Sequence, residues 1–145
     1  MTASDHYLDT NILLSACLAE PASPRVRGWI EASDAGLATS DWAIAEFSSA
    51  LGVKVRRGEL TAGQADGVLA VLQADLLPAF DVLETDSQLV RASSQLSRSY
   101  ALGLRAGDAM HLAFCSRAGG LALATADRVL ERAAVVLGIE VERIY

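Results

Sequence analysis

Apolar residues occur along the chain in two alternating patterns. Short apolar runs predict strands in "YL", "GLAT", "AFDVLET", "LALAT" and "IEVERI". Longer segments with helical spacing of apolar residues separate these runs. Strands that alternate with helices indicate βαβ units, so we expect an α/β fold with a mostly parallel sheet covered on both faces. The length of 145 residues suits one compact domain, residues 1–145.

Capping residues and glycines mark the helix boundaries. Ser23, followed by Pro24, predicts an N-cap and the first helical position. Ser40 predicts the cap of a long helix from residue 41 to about 57, which Gly58 ends. Two pairs with capping-box spacing predict further helix starts, Thr61 with Gln64 and Thr85 with Gln88. Two more glycines are expected to end the last helices, Gly119 and Gly138.

Composition restricts the class of protein. Hydrophobic residues make up 52% of the chain, which indicates a globular protein, and no segment approaches the ~20 apolar residues that span a bilayer. Asp5 and His6 stand where a secretory signal would be apolar. Cys17 and Cys115 are far apart and lack a C-x-x-C partner, which suits a reducing cytoplasm and small buried side chains rather than a zinc site.

The formal net charge of -6 disfavours a protein that binds nucleic acid over a broad basic surface. It allows a nuclease whose acidic pocket a metal ion neutralises. Basic residues are grouped locally, Arg25 with Arg27, and Lys54 with Arg56 and Arg57. These groups are either solvated helix ends or contacts to a nucleic-acid backbone.

Two acids follow predicted strands directly. In "HYLDTNILLSA", Asp9 and Asn11 interrupt an apolar run, and Asp127 follows "LALAT". Carboxyl ends of parallel strands meet at one edge of a sheet, where ligands bind. Helix capping is the competing explanation, with an acid in the first turn of a helix or Thr125 as an N-cap.

Two further acids lie on helices among apolar residues. Glu46 falls inside the apolar arc of its helix, where an ionised carboxylate needs a partner. Arg57 lies nearly three turns away, so a metal ion is the better candidate. Asp108 begins a helix that is apolar on almost all sides and is either its N-cap or part of a site. His111, one turn further on, is expected in the core or beside the site rather than as a ligand.

Convergence of the four acids would require a cation. At about 6 Å and an effective dielectric constant of ~20, each pair would repel by ~3 kcal/mol, with an upper bound for the set of about 15 kcal/mol. That exceeds the usual stability of a domain. Carboxylate oxygens without a His or Cys cluster favour Mg²⁺ or Mn²⁺, which activate water for phosphodiester cleavage.

The sequence resembles the PIN domain, and specifically the VapC-type toxins of type II toxin–antitoxin pairs. The matching segments are "YLDTNILL", "SDWAIAEFSSAL", "LRAGDAMHLAFC" and "ATADRVLERAA", in that order. The resemblance implies a three-layer α/β/α sandwich, a divalent-metal-dependent endoribonuclease, a homodimer and a cognate VapB-type antitoxin. It also implies an acidic quartet and two supporting residues: Asp9, Glu46, Asp108 and Asp127, supported by Asn11 and Thr125.

We therefore hypothesise that Asp9, Asp108 and Asp127 hold one or two Mg²⁺ or Mn²⁺ ions, with Glu46 binding directly or through water. Asn11 and Thr125 would orient carboxylates or waters. The group Lys54, Arg56 and Arg57 is the candidate contact to the RNA backbone. Two other functions remain open, an inactive scaffold that binds a protein partner and an acidic-pocket phosphatase.

Overall fold

The computed structural model describes residues 4–117 and 119–145. Within these residues, five strands and seven α-helices alternate along the chain. The strands are β1 Ser4–Leu8, β2 Gly36–Ser40, β3 Asp81–Leu83, β4 Ala122–Ala124 and β5 Val141–Glu142. The helices are α1 Thr10–Cys17, α2 Ser23–Ala32, α3 Asp41–Arg56, α4 Ala62–Val71, α5 Ser87–Ser97, α6 Ala106–Arg117 and α7 Arg128–Val136. The expected domain 1–145 includes residues 1–3 and 118, which lie outside the described residues. None of the described helices is long and apolar enough to cross a membrane.

The sheet is parallel throughout and has the strand order β3-β2-β1-β4-β5. The chain builds outward from β1 to β3 and then returns to the other side of β1 to form β4 and β5. The order therefore reverses between β1 and β4, which pair directly, with His6 opposite Ala122. Ligands of open parallel sheets bind outside the carboxyl ends of the strands at such a switch point.

Helices cover both faces of the sheet. Successive residues of a strand point to opposite faces, so Tyr7 packs in the core beneath α5, α6 and α7, while Leu8 packs in the core beneath α1, α3 and α4. Both side chains are fully buried. Burial of a side chain of this size contributes about 1.5–3 kcal/mol to the free energy of unfolding, relative to an exposed side chain. Packing on both faces therefore stabilises the sheet. The three-layer α/β/α sandwich with a parallel central sheet is confirmed.

Two predicted caps form as expected. The Ser40 hydroxyl accepts a hydrogen bond from the amide of Ala43 at 3.0 Å and begins α3. Thr61 and Gln64 form both bonds of a capping box at the start of α4. These short polar motifs therefore determine the helix starts locally.

Two other predicted caps are wrong by one residue. Ala22 occupies the N-cap of α2, and Ser23 is its first helical residue, with a hydroxyl that donates to a carbonyl of the preceding loop. Asp86 caps α5, because the Thr85 hydroxyl donates to Asp41 instead. Competing acceptors for the two hydroxyls, one in the preceding loop and one in α3, thus displaced caps that the sequence spacing favoured.

Both cysteines are shielded from solvent to some degree. Cys115 is buried and Cys17 is half-buried. Burial raises the pKa of the Cys115 thiol to about 12 and that of Cys17 to about 11. Both thiols therefore stay protonated near neutral pH, as expected for side chains that serve as small apolar groups.

Candidate active site

An acidic cavity of about 180 Å³ lies outside the carboxyl ends of β1 and β4. Its walls contain four carboxylates from separate segments: Asp9 after β1, Glu46 in α3, Asp108 in α6 and Asp127 before α7. Asn11 and His111 also line it. The structure thus brings together the four acids that the sequence identifies as candidates.

Asp9 is both a helix cap and a wall of the acidic cavity. One carboxylate oxygen accepts from the amide of Ile12 at 3.1 Å and caps α1, and the other accepts from the Thr125 hydroxyl at 2.5 Å. Only 2% of Asp9 is exposed. Burial raises the pKa of this carboxyl above its ordinary value, despite both hydrogen bonds. Capping and a place in the cavity are therefore compatible explanations of the same residue.

Asp127 is the N-cap of α7. Its Oδ1 accepts from the amides of Val129 and Leu130, at 2.8 and 3.1 Å. The suggestion that Thr125 caps this helix is wrong, because the Thr125 hydroxyl accepts from the Asp127 amide at 3.0 Å while donating to Asp9. Thr125 consequently connects the two acids at the ends of β1 and β4.

Glu46 has two protein partners that the sequence did not reveal. Oε1 accepts from the Thr10 hydroxyl at 2.8 Å and lies 2.7 Å from Nε2 of His111. Burial alone would raise the pKa of this carboxyl, but the bonds to His111 and Thr10 hold it below the ordinary value. Glu46 is therefore ionised at neutral pH and fixed in orientation without a metal ion.

His111 connects Glu46 to the protein core. Its Nδ1 lies 2.7 Å from the Tyr7 hydroxyl, which also lies 2.7 Å from the Ser40 hydroxyl. A neutral His111 satisfies this arrangement when Tyr7 donates to Nδ1 and the Nε2–H donates to Glu46. His111 and Tyr7 are both buried. The hydrogen bonds from Tyr7 to His111 and from His111 to Glu46 therefore anchor the Glu46 carboxylate to the protein core.

Asp108 is the third residue of α6 and not its N-cap. Burial, followed by the negative charge of Asp127, raises the pKa of the Asp108 carboxyl. The neighbouring Gly107 lies against Glu46, where a Cβ atom would come within 3.0 Å of Oε2. The first turn of α6 therefore approaches α3 at the acidic cavity as closely as a glycine permits.

The sequence pattern of the PIN domain matches residues 6–136, which is most of the chain. The chain belongs to the PIN-domain family. No curated protein matches the sequence.

Solved structures share the fold of this PIN domain. FitAcB from Neisseria gonorrhoeae is 25% identical, with a TM-score of 0.69 over 95% of this chain and 96% of the other. DNA-bound VapBC from Salmonella typhimurium is 19% identical, with a TM-score of 0.70 over 100% of both chains. VapC20 from Mycobacterium tuberculosis, a toxin that cleaves the sarcin–ricin loop, is 14% identical, with a TM-score of 0.64 over 88% of this chain and 93% of the other.

The acidic cavity of this PIN domain fits a hard divalent cation. Its carboxylate oxygens are the donors that Mg²⁺ and Mn²⁺ prefer. A cation would offset the negative charge of Asp127, which adds to burial in raising the pKa of Asp108. Among residues 4–117 and 119–145, no three acid, His or Cys side chains are close enough to ligate one ion as they stand. Mg²⁺ usually keeps several waters and binds through one or two carboxylates, so the residues present are sufficient.

The structure does not bring Lys54, Arg56 and Arg57 to the acidic cavity of the PIN domain. They lie at the end of α3, and Arg56 is ten residues beyond Glu46, or about 15 Å along the helix axis. Lys54 forms an ion pair with Glu59 at 3.3 Å. Their contact with RNA stays a prediction. Asn11 is exposed at the wall of the cavity, consistent with a supporting position.

Sequence reasoning missed Thr10 as a partner in this site. The residue lies between Asp9 and Asn11 in the D-T-N segment, and it is buried while Asn11 is exposed. A buried Thr in the first turn of a helix, next to an acid, is the signal that could have identified it. The partner of its hydroxyl, Glu46, is 36 residues away and needed the fold to be known.

Proposed function

We propose that this PIN domain is a Mg²⁺- or Mn²⁺-dependent endoribonuclease and the toxin of a VapBC-type toxin–antitoxin pair. The observation that carries the proposal is the convergence of Asp9, Glu46, Asp108 and Asp127 in one cavity at the switch point of the sheet. A purely structural role does not explain this convergence, because burial disfavours the charged forms of Asp9 and Asp108 and raises the pKa of each.

Asp9, Asp108 and Asp127 are the residues that would hold one or two ions, in part through waters because no three of the described side chains are close enough to ligate one ion as they stand. Glu46 would contribute directly or through water. When bound, the ion supplies Lewis-acid activation of water and offsets charge on the phosphodiester. Thr125 keeps the carboxylate of Asp9 in a fixed orientation, since it donates to Oδ2. Thr10 and His111 do the same for Glu46, which places a charged acceptor at the wall of the cavity.

RNA is the proposed substrate. The support is the shared fold with VapC20, which cleaves the sarcin–ricin loop. We place this activity in the cytoplasm, where RNA substrates are present.

An antitoxin and a second copy of the chain are the proposed protein partners. The similar folds of FitAcB and VapBC, which are solved as complexes, support an antitoxin of the VapB or FitA kind. Light scattering is expected to give twice the mass of one chain, and a monomer would contradict the homodimer.

Co-expression with the product of the gene next to that of this chain tests the antitoxin. This product is expected to suppress RNA cleavage, and unchanged cleavage would contradict the antitoxin assignment.

Cleavage of total cellular RNA tests the activity. We expect Mn²⁺-dependent cleavage at mapped positions by the wild type and loss of it in Asp9→Asn, which retains an oxygen acceptor for the Ile12 amide and turns an amide donor towards the Thr125 hydroxyl. Asp66→Asn, which removes an exposed acid from α4, is the matched control and should cleave normally. Equal cleavage by wild type and Asp9→Asn, or hydrolysis of a phosphomonoester without RNA cleavage, would contradict the proposal.

A further inference from the structure

A second cavity, of about 510 Å³, adjoins the acidic cavity across the segment that leads into α7. We name it the basic groove and define it by its charged and aromatic residues, Arg128, Glu131, Arg132, Arg143 and Tyr145. Thr125, which donates to Asp9 in the acidic cavity, also lines the basic groove. The two cavities therefore share a wall.

Helix α7 presents a different side to each cavity. Asp127 and Leu130 line the acidic cavity, whereas Arg128 and Arg132 line the basic groove. Arg128 and Arg132 are four residues apart, so their side chains lie on the same helix face, one turn from each other. This arrangement aligns two guanidinium groups along a path that begins at the candidate active site.

The basic groove has a local charge opposite to that of the whole chain. It contains three arginines and one acid, Glu131, while the chain carries a formal net charge of -6. Arg143 forms an ion pair with Glu131. Neither Arg128 nor Arg132 forms an ion pair within the described part of the chain. The groove therefore presents two exposed guanidinium groups without a protein anion.

The position of Arg128 is unfavourable for the helix itself. It is the first residue of α7, where the helix dipole disfavours a cation and favours an anion. Asp127 at the N-cap and Glu131 in the first turn favour the helix dipole, but within the described residues neither forms an ion pair with Arg128. An external anion that contacts both Arg128 and Arg132 would compensate for it.

We propose that the basic groove binds the sugar–phosphate backbone of the single-stranded RNA that the acidic cavity cleaves. Arg128 and Arg132 contact consecutive phosphates, because guanidinium groups match phosphate geometry. Tyr145, which is 47% exposed in the groove, stacks on a base of the same strand. The inference rests on the proposed ribonuclease function and locates its substrate contact on α7, rather than at the end of α3.

Binding of a short, fluorescently labelled single-stranded RNA tests this inference without any cleavage. The measurement uses the full chain in an Asp108→Asn background, without divalent ions, and records affinity by anisotropy at several salt concentrations. Arg128→Gln with Arg132→Gln is expected to weaken binding on the order of tenfold and to reduce the slope of log K against log[salt] by about 1.4, since each single-strand phosphate contact contributes about 0.7. Tyr145→Leu is expected to weaken binding without changing the slope, because stacking involves no counterion.

Matched controls separate a local contact from a general charge effect. Arg91→Gln with Arg98→Gln removes the same charge from exposed positions on α5 and at its C-cap, and should leave affinity and slope unchanged. Unchanged binding in the α7 double variant, or an equal loss in the α5 double variant, would overturn the inference. A loss confined to Arg56→Gln with Arg57→Gln would overturn it too and place the backbone contact on α3. Unchanged affinity of Tyr145→Leu would overturn the stacking contact.

The outcomes also distinguish this inference from the proposed function. If the wild type cleaves no RNA but the α7 double variant loses RNA binding, the proposed ribonuclease fails while the groove remains an RNA-binding surface. If the wild type cleaves RNA and the α7 variant binds it normally, only the inference fails. Binding of an acidic peptide that depends on Arg128 and Arg132, with RNA binding unaffected, would overturn RNA as the occupant.

Discussion

Each acid of the candidate site has a different set of neighbouring groups. Thr125 holds Asp9, and two helix amides hold Asp127. His111 and Thr10 hold Glu46, while burial and the charge of Asp127 raise the pKa of Asp108. These neighbouring groups therefore fix the orientation of Asp9, Glu46 and Asp127 before any ion binds.

The Tyr7 hydroxyl is predicted to stabilise the fold through His111. Tyr7→Phe leaves Nδ1 of buried His111 without its partner, which should lower the free energy of unfolding by about 1–3 kcal/mol. Urea denaturation measures this loss. Tyr100→Phe removes the same group from a side chain that is 83% exposed and should change stability by no more than about 0.5 kcal/mol. Similar stability for both variants would contradict a structural role for the Tyr7–His111 bond.

The charge of Asp108 is predicted to lower the stability of the fold and to be needed for RNA cleavage. In EDTA, Asp108→Asn should unfold at a higher temperature than the wild type, because it removes a charge that burial and Asp127 disfavour. RNA cleavage in Mn²⁺ should fall about 100-fold or more. Thermal unfolding and gel assays measure the two effects, and the exposed variant Asp66→Asn should show neither. A less stable Asp108→Asn in EDTA, or one that still cleaves RNA, would contradict this account.

At the scale of the elements, sequence spacing predicted which helices and strands form and where most of them lie. Ser40 and the pair Thr61 and Gln64 cap as expected because their partners are only three residues away. The cap at Ser23 was wrong because its hydroxyl donates to Leu18 in the loop just before α2, and the cap at Thr85 was wrong because its hydroxyl donates to the distant Asp41. Local patterns thus predict a helix start unless another acceptor competes for the same hydroxyl.

The glycine in the first turn of α6 is predicted to matter for activity more than for stability. Gly107→Ala places a Cβ atom against Oε2 of Glu46, the carboxylate oxygen that neither Thr10 nor His111 holds, so the carboxylate can turn about Oε1 while both bonds are kept. Alanine also favours a helix over glycine by up to about 1 kcal/mol. RNA cleavage should therefore fall while the unfolding temperature stays level or rises.

The matched control is Gly67→Ala in α4, where the added Cβ atom meets no atom within 4 Å. It should raise the unfolding temperature and leave cleavage unchanged. Equal cleavage by both glycine variants would show that the close approach of α6 to Glu46 has no role in the site.

The start of α5 is predicted to depend on pH. Asp86 caps α5 and pairs with Arg117 of α6 at 2.5 Å, and this pair with the cap lowers the pKa of Asp86 to about 2. Because the pKa of Asp86 is lower in the folded state, its charge stabilises the fold when the pH is above about 3.9, the ordinary pKa of Asp. This stabilisation is lost as the pH falls towards 2.

Asp86→Asn keeps a capping side chain but removes the charge. Its unfolding temperature should lie below that of the wild type at pH 7, and the difference should shrink between pH 4 and 2. Thermal unfolding over this range measures it, and Arg117→Gln should behave similarly. A difference that does not depend on pH would contradict the ion pair as its cause.

At the scale of the whole molecule, the fold explains why acids far apart in sequence meet. Asp9 and Asp127 follow the two strands that flank the reversal of strand order, so the sheet places them together. The sequence predicted this meeting from strand ends alone. It could not predict the bond between His111 and Glu46, which spans 65 residues, or the basic groove beside α7, because both require the packed helices.

Calorimetric titration of Mn²⁺ tests the central claim, that the acidic cavity is a divalent-metal site, most directly. The measurement compares the wild type with Asp9→Asn and with Asp66→Asn, which remove the same charge inside and outside the cavity. We predict at least one ion bound per chain in the wild type and in Asp66→Asn, and affinity weakened at least about tenfold in Asp9→Asn. No binding by the wild type, or equal binding by all the proteins, would contradict the claim.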